Sequence, residues 1–105
     1  VKRGEVWLCA LDPTIGREIQ KTRPCLLVSP DELNQRAPTM IVAPLTSDSH
    51  LTRFRVPVTF KGKDGLILPD QLRTLDRRRL IKRLGTVDVA TLSAALAVLT
   101  NMFAA

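Results

Sequence analysis

The chain has 105 residues, 45% of them hydrophobic and 25% charged, with a formal net charge of +6. That length sets one domain with a modest core, and the composition excludes intrinsic disorder. No segment approaches the roughly 20 apolar residues that span a bilayer, and the N-terminal VKRGEVWLCALD lacks the apolar core of a signal peptide, so a cytoplasmic protein without membrane contact is expected.

All 16 Lys and Arg fall within residues 1–83, together with nine of the ten acidic residues. The positive charge therefore belongs to the body of the chain, where it would attract a polyanion, nucleic acid first.

In chain order, GEVWLCAL predicts a first strand, with Val6, Leu8 and Ala10 on one face and Glu5, Trp7 and Cys9 on the other. An Asp-Pro signal and Gly16 make DPTIGREIQKTR a long loop. In KTRPCLLVSP, Pro24 to Ser29 reads as a buried strand entered from that loop. Arg23 then stands where loop becomes scaffold, and for a lone arginine the simpler reading is a solvated charge. DELNQR suits a short helical turn with Asp31 near its start, TMIVAPLTS a third strand, and DSHLTR a polar loop. FRVPVTF alternates into a fourth strand whose Pro57 signals an edge or a bulge, and KGKDG has hairpin-turn chemistry.

LILPDQLRTLD reads as a strand region broken near Pro69, and LIKRLG as one more strand after the basic run Arg77 to Arg79. From Asp88, a candidate N-cap, the C-terminal stretch sets Val89, Leu92, Leu96, Leu99 and Phe103 at helical spacing, with Ala94, Ala95, Ala97 and Val98 widening the apolar face. Five to seven short strands and one terminal helix give a mainly β fold, a small barrel or curled sheet. Cys9 and Cys25 each lie in an apolar strand-like run, where free cysteine acts as a small buried hydrophobe; a disulfide is the second choice.

Three polar sites fall at predicted strand ends: Arg23 before the second, Thr46-Ser47 after the third, and Asp70-Gln71 at the Pro69 break. Strand ends on a rigid barrel hold a side chain in place while leaving it open to solvent. Together, RGEVWLCALDPTIGREIQKTRPCLLVSP, VAPLTS and DQLRTLDRRRL resemble, in this order and spacing, the MazF/PemK (Kid) family of toxin endoribonucleases. The resemblance covers nearly the whole chain and treats 1–105 as a single domain of that kind. It implies a small SH3-like barrel of the CcdB/MazF type with a C-terminal helix, a homodimer, and a cognate antitoxin protein as partner. It also implies cleavage of single-stranded mRNA at a short specific sequence, with neither metal nor other cofactor.

Residue by residue, the resemblance carries the arginine of the family's RP element to Arg23 and the threonine after the third strand to Thr46. The loop glutamate falls on Glu18, and the acidic residue before Gln falls on Asp70. These four are the candidate catalytic residues. Two positions depart from the Kid branch: Arg17 replaces a loop histidine, and Leu68 replaces an arginine two residues before the catalytic aspartate. The Arg/Asp/His proton-transfer scheme of Kid therefore does not transfer, whereas the Arg23/Thr46 scheme of the MazF branch does.

Cutting RNA without a metal uses the neighbouring 2′-hydroxyl as nucleophile, which requires a proton acceptor, stabilisation of the charge on a five-coordinate phosphorus, and help for the leaving 5′-oxygen. The single histidine, His50, excludes a two-histidine pair within one subunit and reads as a solvated loop side chain. Arginine's planar fork suits the phosphorane, so Arg23 takes that role, Thr46 positions the phosphate or the 2′-oxygen, and Glu18 or Asp70 is the candidate base. Arg53, Phe54 and Arg55 suit RNA binding, cations tracking the backbone and a ring stacking a base, against the reading of Phe54 as core. Arg17, Lys21, Ser47, Gln71 and Arg73 complete the candidate RNA-binding set. No His/Cys/carboxylate cluster has metal-ligand spacing. The alternative functions are a non-catalytic RNA-binding module and a CcdB-like gyrase poison; the KTRP and PLTS elements favour the nuclease.

Overall fold

The structure is a computed structural model that describes residues 1–12, 15, 16, 18 and 21–105. Short apolar runs become seven strands: β1 (Glu5–Ala10), β2 (Thr22–Leu27), β3 (Thr39–Thr46), β4 (Val56–Phe60), β5 (Lys63–Ile67), β6 (Arg73–Asp76) and β7 (Leu80–Thr86). Two α-helices, α1 (Asp31–Arg36) and α2 (Val89–Phe103), and two 3₁₀ turns, Pro69–Gln71 and Arg77–Arg79, complete the described elements. The strand order is β4-β5-β3-β2-β1-β7, with β6 also paired to β3. None of the described helices is long and apolar enough to cross a membrane.

Strand β3 organises the sheet. One edge pairs with β2. The other is divided: Thr39–Val42 pair with β6, while Leu45 and Thr46 pair with β5. The 3₁₀ turn at Pro69–Gln71 makes the corner between β5 and β6, where the Leu68 N–H donates to the Pro44 carbonyl at 2.8 Å. The strand region expected to break near Pro69 is thus two strands laid along one partner.

Alternation along β2 and β3 sends side chains to two cores. Leu26, Ala43 and Leu45 join Val6, Val56, Val58 and Ile67 in one cluster, against which Leu92, Leu96 and Leu99 of α2 pack. Cys25, Leu27, Met40 and Val42 join Cys9, Leu11 and Leu75 in the other, flanked by Trp7 and Leu80. In β1 the register shifts against β7 between Val6 and Trp7 and between Leu8 and Cys9, yet the expected alternation holds: Val6 enters the first core, while Cys9 enters the second with Trp7 beside it. The sheet curls until its two ends meet: a Cβ added to Gly85 of β7 would lie 3.1 Å from the Phe60 ring of β4. The result is a curled antiparallel half-barrel with a C-terminal helix.

Several boundaries differ from the sequence reading. β2 begins at Thr22 because Arg23 and Thr22 still have partners, Cys9 and Ala10, on β1. It ends at Leu27, where Ser29 turns inward and its hydroxyl accepts from the Ile41 N–H at 3.1 Å. Buried Asn34 of α1 donates to the Ser29 carbonyl at 2.9 Å, a polar tie that fixes α1 to the sheet. In KGKDG only Lys61 and Gly62 turn, both with positive φ (52° and 75°), giving a two-residue hairpin of the type that matches strand twist; Lys63, Asp64 and Gly65 belong to β5. β4 starts at Val56, so Phe54 lies outside the strand, while Pro57 sits on an edge strand as expected.

Asp88 caps α2 by accepting from the Thr91 N–H at 2.7 Å, and hydrogen bonding to the side chain and then the amide of Thr91 holds its carboxyl below its ordinary value. Ala95 is fully buried, but Val89 and Phe103 at the ends of the apolar face are 80% and 74% exposed. A small sheet covers only the middle of the helix. Both cysteines are free and buried; the hydrogen bond with Cys9, then burial, push the Cys25 thiol well above its ordinary range.

β5 approaches β3 so closely that a Cβ on Gly65 would lie 2.8 Å from the Thr46 carbonyl oxygen. Gly65→Ala is expected to force the two backbones apart and to destabilise the fold by about 1–3 kcal/mol, as overpacking of a tight contact does. Urea unfolding of the two proteins checks it: a reduced midpoint at unchanged slope is expected.

Candidate active site

Arg23 and Thr46 come together through strand register. β2 and β3 pair as Leu27 with Val42, Leu26 with Ala43 and Cys25 with Pro44. Continuing that register by two residues sets Arg23 across from Thr46. Both residues line one cavity of about 170 Å³, as does Ser47. Pro24, Leu45, Val58 and Phe60 supply apolar wall, and Lys63, Asp64 and Gly65 bring the β4–β5 hairpin to it.

Thr46 is only 6% exposed, and its hydroxyl oxygen accepts from the Asp48 N–H at 3.2 Å. That bond leaves the hydroxyl proton to be donated elsewhere. Arg23 is exposed, and its guanidinium has no hydrogen-bond or ion-pair partner among the described residues. The arrangement offers an open cation beside a fixed hydroxyl, a combination suited to an anion with tetrahedral or trigonal oxygens.

The two candidate bases do not line this cavity. Glu18 is exposed in the β1–β2 connection, where its Oε1 accepts from the Ile15 N–H at 2.8 Å. Asp70 sits in the 3₁₀ turn with both carboxylate oxygens engaged: Arg55 Nε donates to Oδ1 at 3.2 Å and Arg55 Nη2 to Oδ2 at 3.1 Å. The same guanidinium donates through Nη1 to Ser49 Oγ and to the His50 carbonyl. Arg55 therefore ties the β3–β4 loop to the corner between β5 and β6. His50 itself is exposed.

The candidate RNA-binding residues separate by what their side chains touch. Phe54 is exposed, with the Arg53 guanidinium carbon 4.6 Å from its ring centroid, so the ring is on the surface and not in the core. Arg73 is turned to structural use, donating to the Leu11 carbonyl at 3.0 Å. Lys21 is exposed in a left-handed conformation (φ 64°), its N–H donating to Asp12 Oδ1 at 2.9 Å. Ser47 is exposed and Gln71 half-buried. Arg17 lies outside the described residues.

The basic run Arg77–Arg79 divides: two of its guanidinium groups turn to main-chain carbonyls, and the side chain of Arg78 is exposed. Arg77 donates to the Asn34 and Ala37 carbonyls at the C-terminal end of α1, and Arg79 to the Ala10 and Asp12 carbonyls. Arg78 pairs with Asp76 at 2.9 Å and, through side chain and amide, holds that carboxyl at about 2. Among the described residues no three His, Cys, Asp or Glu side chains converge as a metal site would need.

Sequence reasoning missed Phe60, Lys63 and Asp64 as cavity residues. A two-residue Lys-Gly turn would have revealed them, because it alone fixes which positions face each other across the hairpin.

A small curled antiparallel β-sheet with a terminal helix and one cavity at its strand ends is the architecture to be placed, and comparison with known proteins places it. Residues 2–103 match the family described as PemK-like, MazF-like toxin of type II toxin-antitoxin system. The chain belongs to that family. It is 40% identical over 83 residues to endoribonuclease PemK of Escherichia coli, an alignment spanning 74% of this chain and 62% of PemK. Endoribonuclease EndoA of Bacillus subtilis is 34% identical over 94 residues, spanning 84% of this chain and 81% of EndoA. Among solved structures, MazF from Deinococcus radiodurans superposes with a TM-score of 0.86 at 27% identity, over 97% of this chain and 94% of the other.

The Arg55–Asp70 pair is bidentate and largely shielded, with side-chain exposures of 17% and 31%. A double-mutant cycle with Arg55→Gln and Asp70→Asn is expected to give a coupling of about 1 kcal/mol, between exposed pairs and buried networks. Denaturant unfolding of the four proteins measures it. Strict additivity would mean that the pair does not hold the corner.

Proposed function

We propose that the chain is the toxin of a type II toxin–antitoxin pair and a cytoplasmic endoribonuclease that cuts single-stranded mRNA at a short specific sequence, independently of the ribosome and of metal ions. Family membership and the two named endoribonucleases at 34–40% identity support the activity. The observation that carries the mechanism is the placing of Arg23 and Thr46 across from each other at one cavity.

In this mechanism the 2′-hydroxyl 5′ to the scissile bond gives its proton to a base and attacks the phosphorus, and the 5′-oxygen leaves and takes a proton from water, giving a 2′,3′-cyclic phosphate and a 5′-hydroxyl. Arg23 stabilises the extra negative charge on the phosphorane, with two parallel donors matched to two phosphate oxygens. The Thr46 hydroxyl, fixed by the Asp48 N–H, donates its proton to a non-bridging oxygen or orients the 2′-oxygen. Neither candidate base lines the cavity; Glu18 is the better one because among the described residues only its Oε1 is engaged, by a backbone N–H, whereas both oxygens of Asp70 are spent on Arg55. Asp70 and Arg55 then serve by holding the loop beside the cavity.

Two further parts of the reading concern assembly. Val89 and Phe103 of α2 and Ile81 of β7 are exposed apolar side chains, which suit a homodimer interface. The basic body suits an acidic antitoxin segment that folds on binding and competes with RNA.

Arg23→Ala is expected to lower the single-turnover cleavage rate by about 100 to 1,000-fold, the usual cost of removing a donor aimed at transition-state charge, while RNA affinity falls much less. Thr46→Val should move the rate in the same direction by a smaller factor. Both are measured in EDTA against a transcript that the wild-type protein cuts. Full cleavage by folded Arg23→Ala would remove this residue from the reaction.

A further inference from the structure

Lys63 is an exposed cation at the hairpin end of a strand face that turns apolar and buried further along. β4 and β5 pair as Val56 with Ile67, Val58 with Gly65 and Phe60 with Lys63. Directly paired residues point to the same face of a sheet, so Lys63 shares its face with Val56, Val58 and Ile67, all buried in the core beneath α2. Asp64, one position on, also lines the cavity, but its carboxylate accepts from the Thr59 hydroxyl at 2.7 Å and makes no ion pair with Lys63.

Among the described residues the Lys63 ammonium has no hydrogen-bond or ion-pair partner. Its residue lines the same cavity as Arg23 and Thr46. The hairpin fixes this placement: the two left-handed residues Lys61 and Gly62 permit only a two-residue turn, and a one-residue slip would send Lys63 to the outer face. The close approach at Gly65 holds the same strand against Thr46.

Resting on the endoribonuclease reading, we propose that Lys63 is a substrate-binding residue that holds an RNA phosphate flanking the scissile one. The β2–β3 register, continued, puts Arg23 and Thr46 across from each other, whereas Lys63 lies on β5, the strand beside β3, three residues towards the hairpin from Leu66, the partner of Thr46, about 10 Å along the strand. It therefore meets a neighbouring phosphate and not the reacting one. A contact of that kind is equally strong in the ground state and the transition state, so it governs affinity and KM and leaves kcat alone.

The test uses an oligoribonucleotide spanning a site cut by the wild-type protein, with deoxyribose at the scissile position so that it binds without turnover. Binding is measured against salt concentration for wild type, Lys63→Gln and Lys63→Arg. One lost phosphate contact on a single strand flattens the slope of log affinity against log salt by about 0.7. Lys63→Gln should show that flattening with weaker binding, Lys63→Arg should keep the wild-type slope, and on the cleavable strand kcat should stay unchanged while KM rises. Lys63→Met, tested alongside, keeps an apolar stem for the inner face and should match Lys63→Gln. An unchanged slope in folded Lys63→Gln or Lys63→Met would overturn the assignment while leaving the nuclease standing, as would a fall in kcat at constant KM. If the wild-type protein neither binds nor cuts RNA, the function itself fails and this residue's role with it.

Discussion

The site depends on how closely β5 can lie against the end of β3. At Gly65 the separation leaves no room for a Cβ beside the Thr46 carbonyl, and that contact lets one edge of β3 serve β5 at its end and β6 at its beginning. Without it the chain could not turn the Pro69 corner while keeping both ladders. The same strand, on its opposite edge, sets the register of β2. Thr46, Arg23 and the β4–β5 hairpin are therefore placed by a single framework of backbone pairing, which is more rigid than any loop-to-loop contact would be.

A consequence is that the many cations are not interchangeable. Arg73, Arg77 and Arg79 lend their guanidinium groups to main-chain carbonyls in the β1–β2 connection and at the end of α1. Arg55, Arg78 and Arg83 are paired with Asp70, Asp76 and Glu5. Arginine suits such work because one planar fork satisfies several acceptors at once. Arg23 and Lys63 remain open to an outside anion. The net charge of +6 thus overstates the charge available to a polyanion, and at the cavity Arg23 and Lys63 supply it.

Much of the fold was legible because its signals are local. The Asp88 cap, the Pro57 edge strand, the break at Pro69 and the strand cores each follow from residue chemistry within a few positions, and each is present. What was not legible depends on partners distant in the chain. β2 starts early because β1 is still beside it. Phe54 looked like strand because FRVPVTF alternates, yet Thr52 Oγ1 accepts the Phe54 N–H and Arg55 is drawn away to Asp70 before β4 begins. The Arg23 and Thr46 placement was foreseen through a family pattern, and the register supplies its physical cause. Lys63 escaped notice because lysine beside glycine reads as turn, and only the two positive φ angles reveal that the turn is over before it.

The central chemical claim is that the nucleophile is carried by the RNA and that the protein contributes charge and position. Replacing the single ribose 5′ of the scissile phosphate by deoxyribose removes that nucleophile while leaving phosphate and base contacts in place. Binding of this strand close to that of the all-ribose strand, with no cleavage at the substituted bond and with a 2′,3′-cyclic phosphate on the product of the unsubstituted one, is the expected result. Cleavage of the deoxy-substituted strand at the same bond would contradict it, because water would then have to be the attacking group.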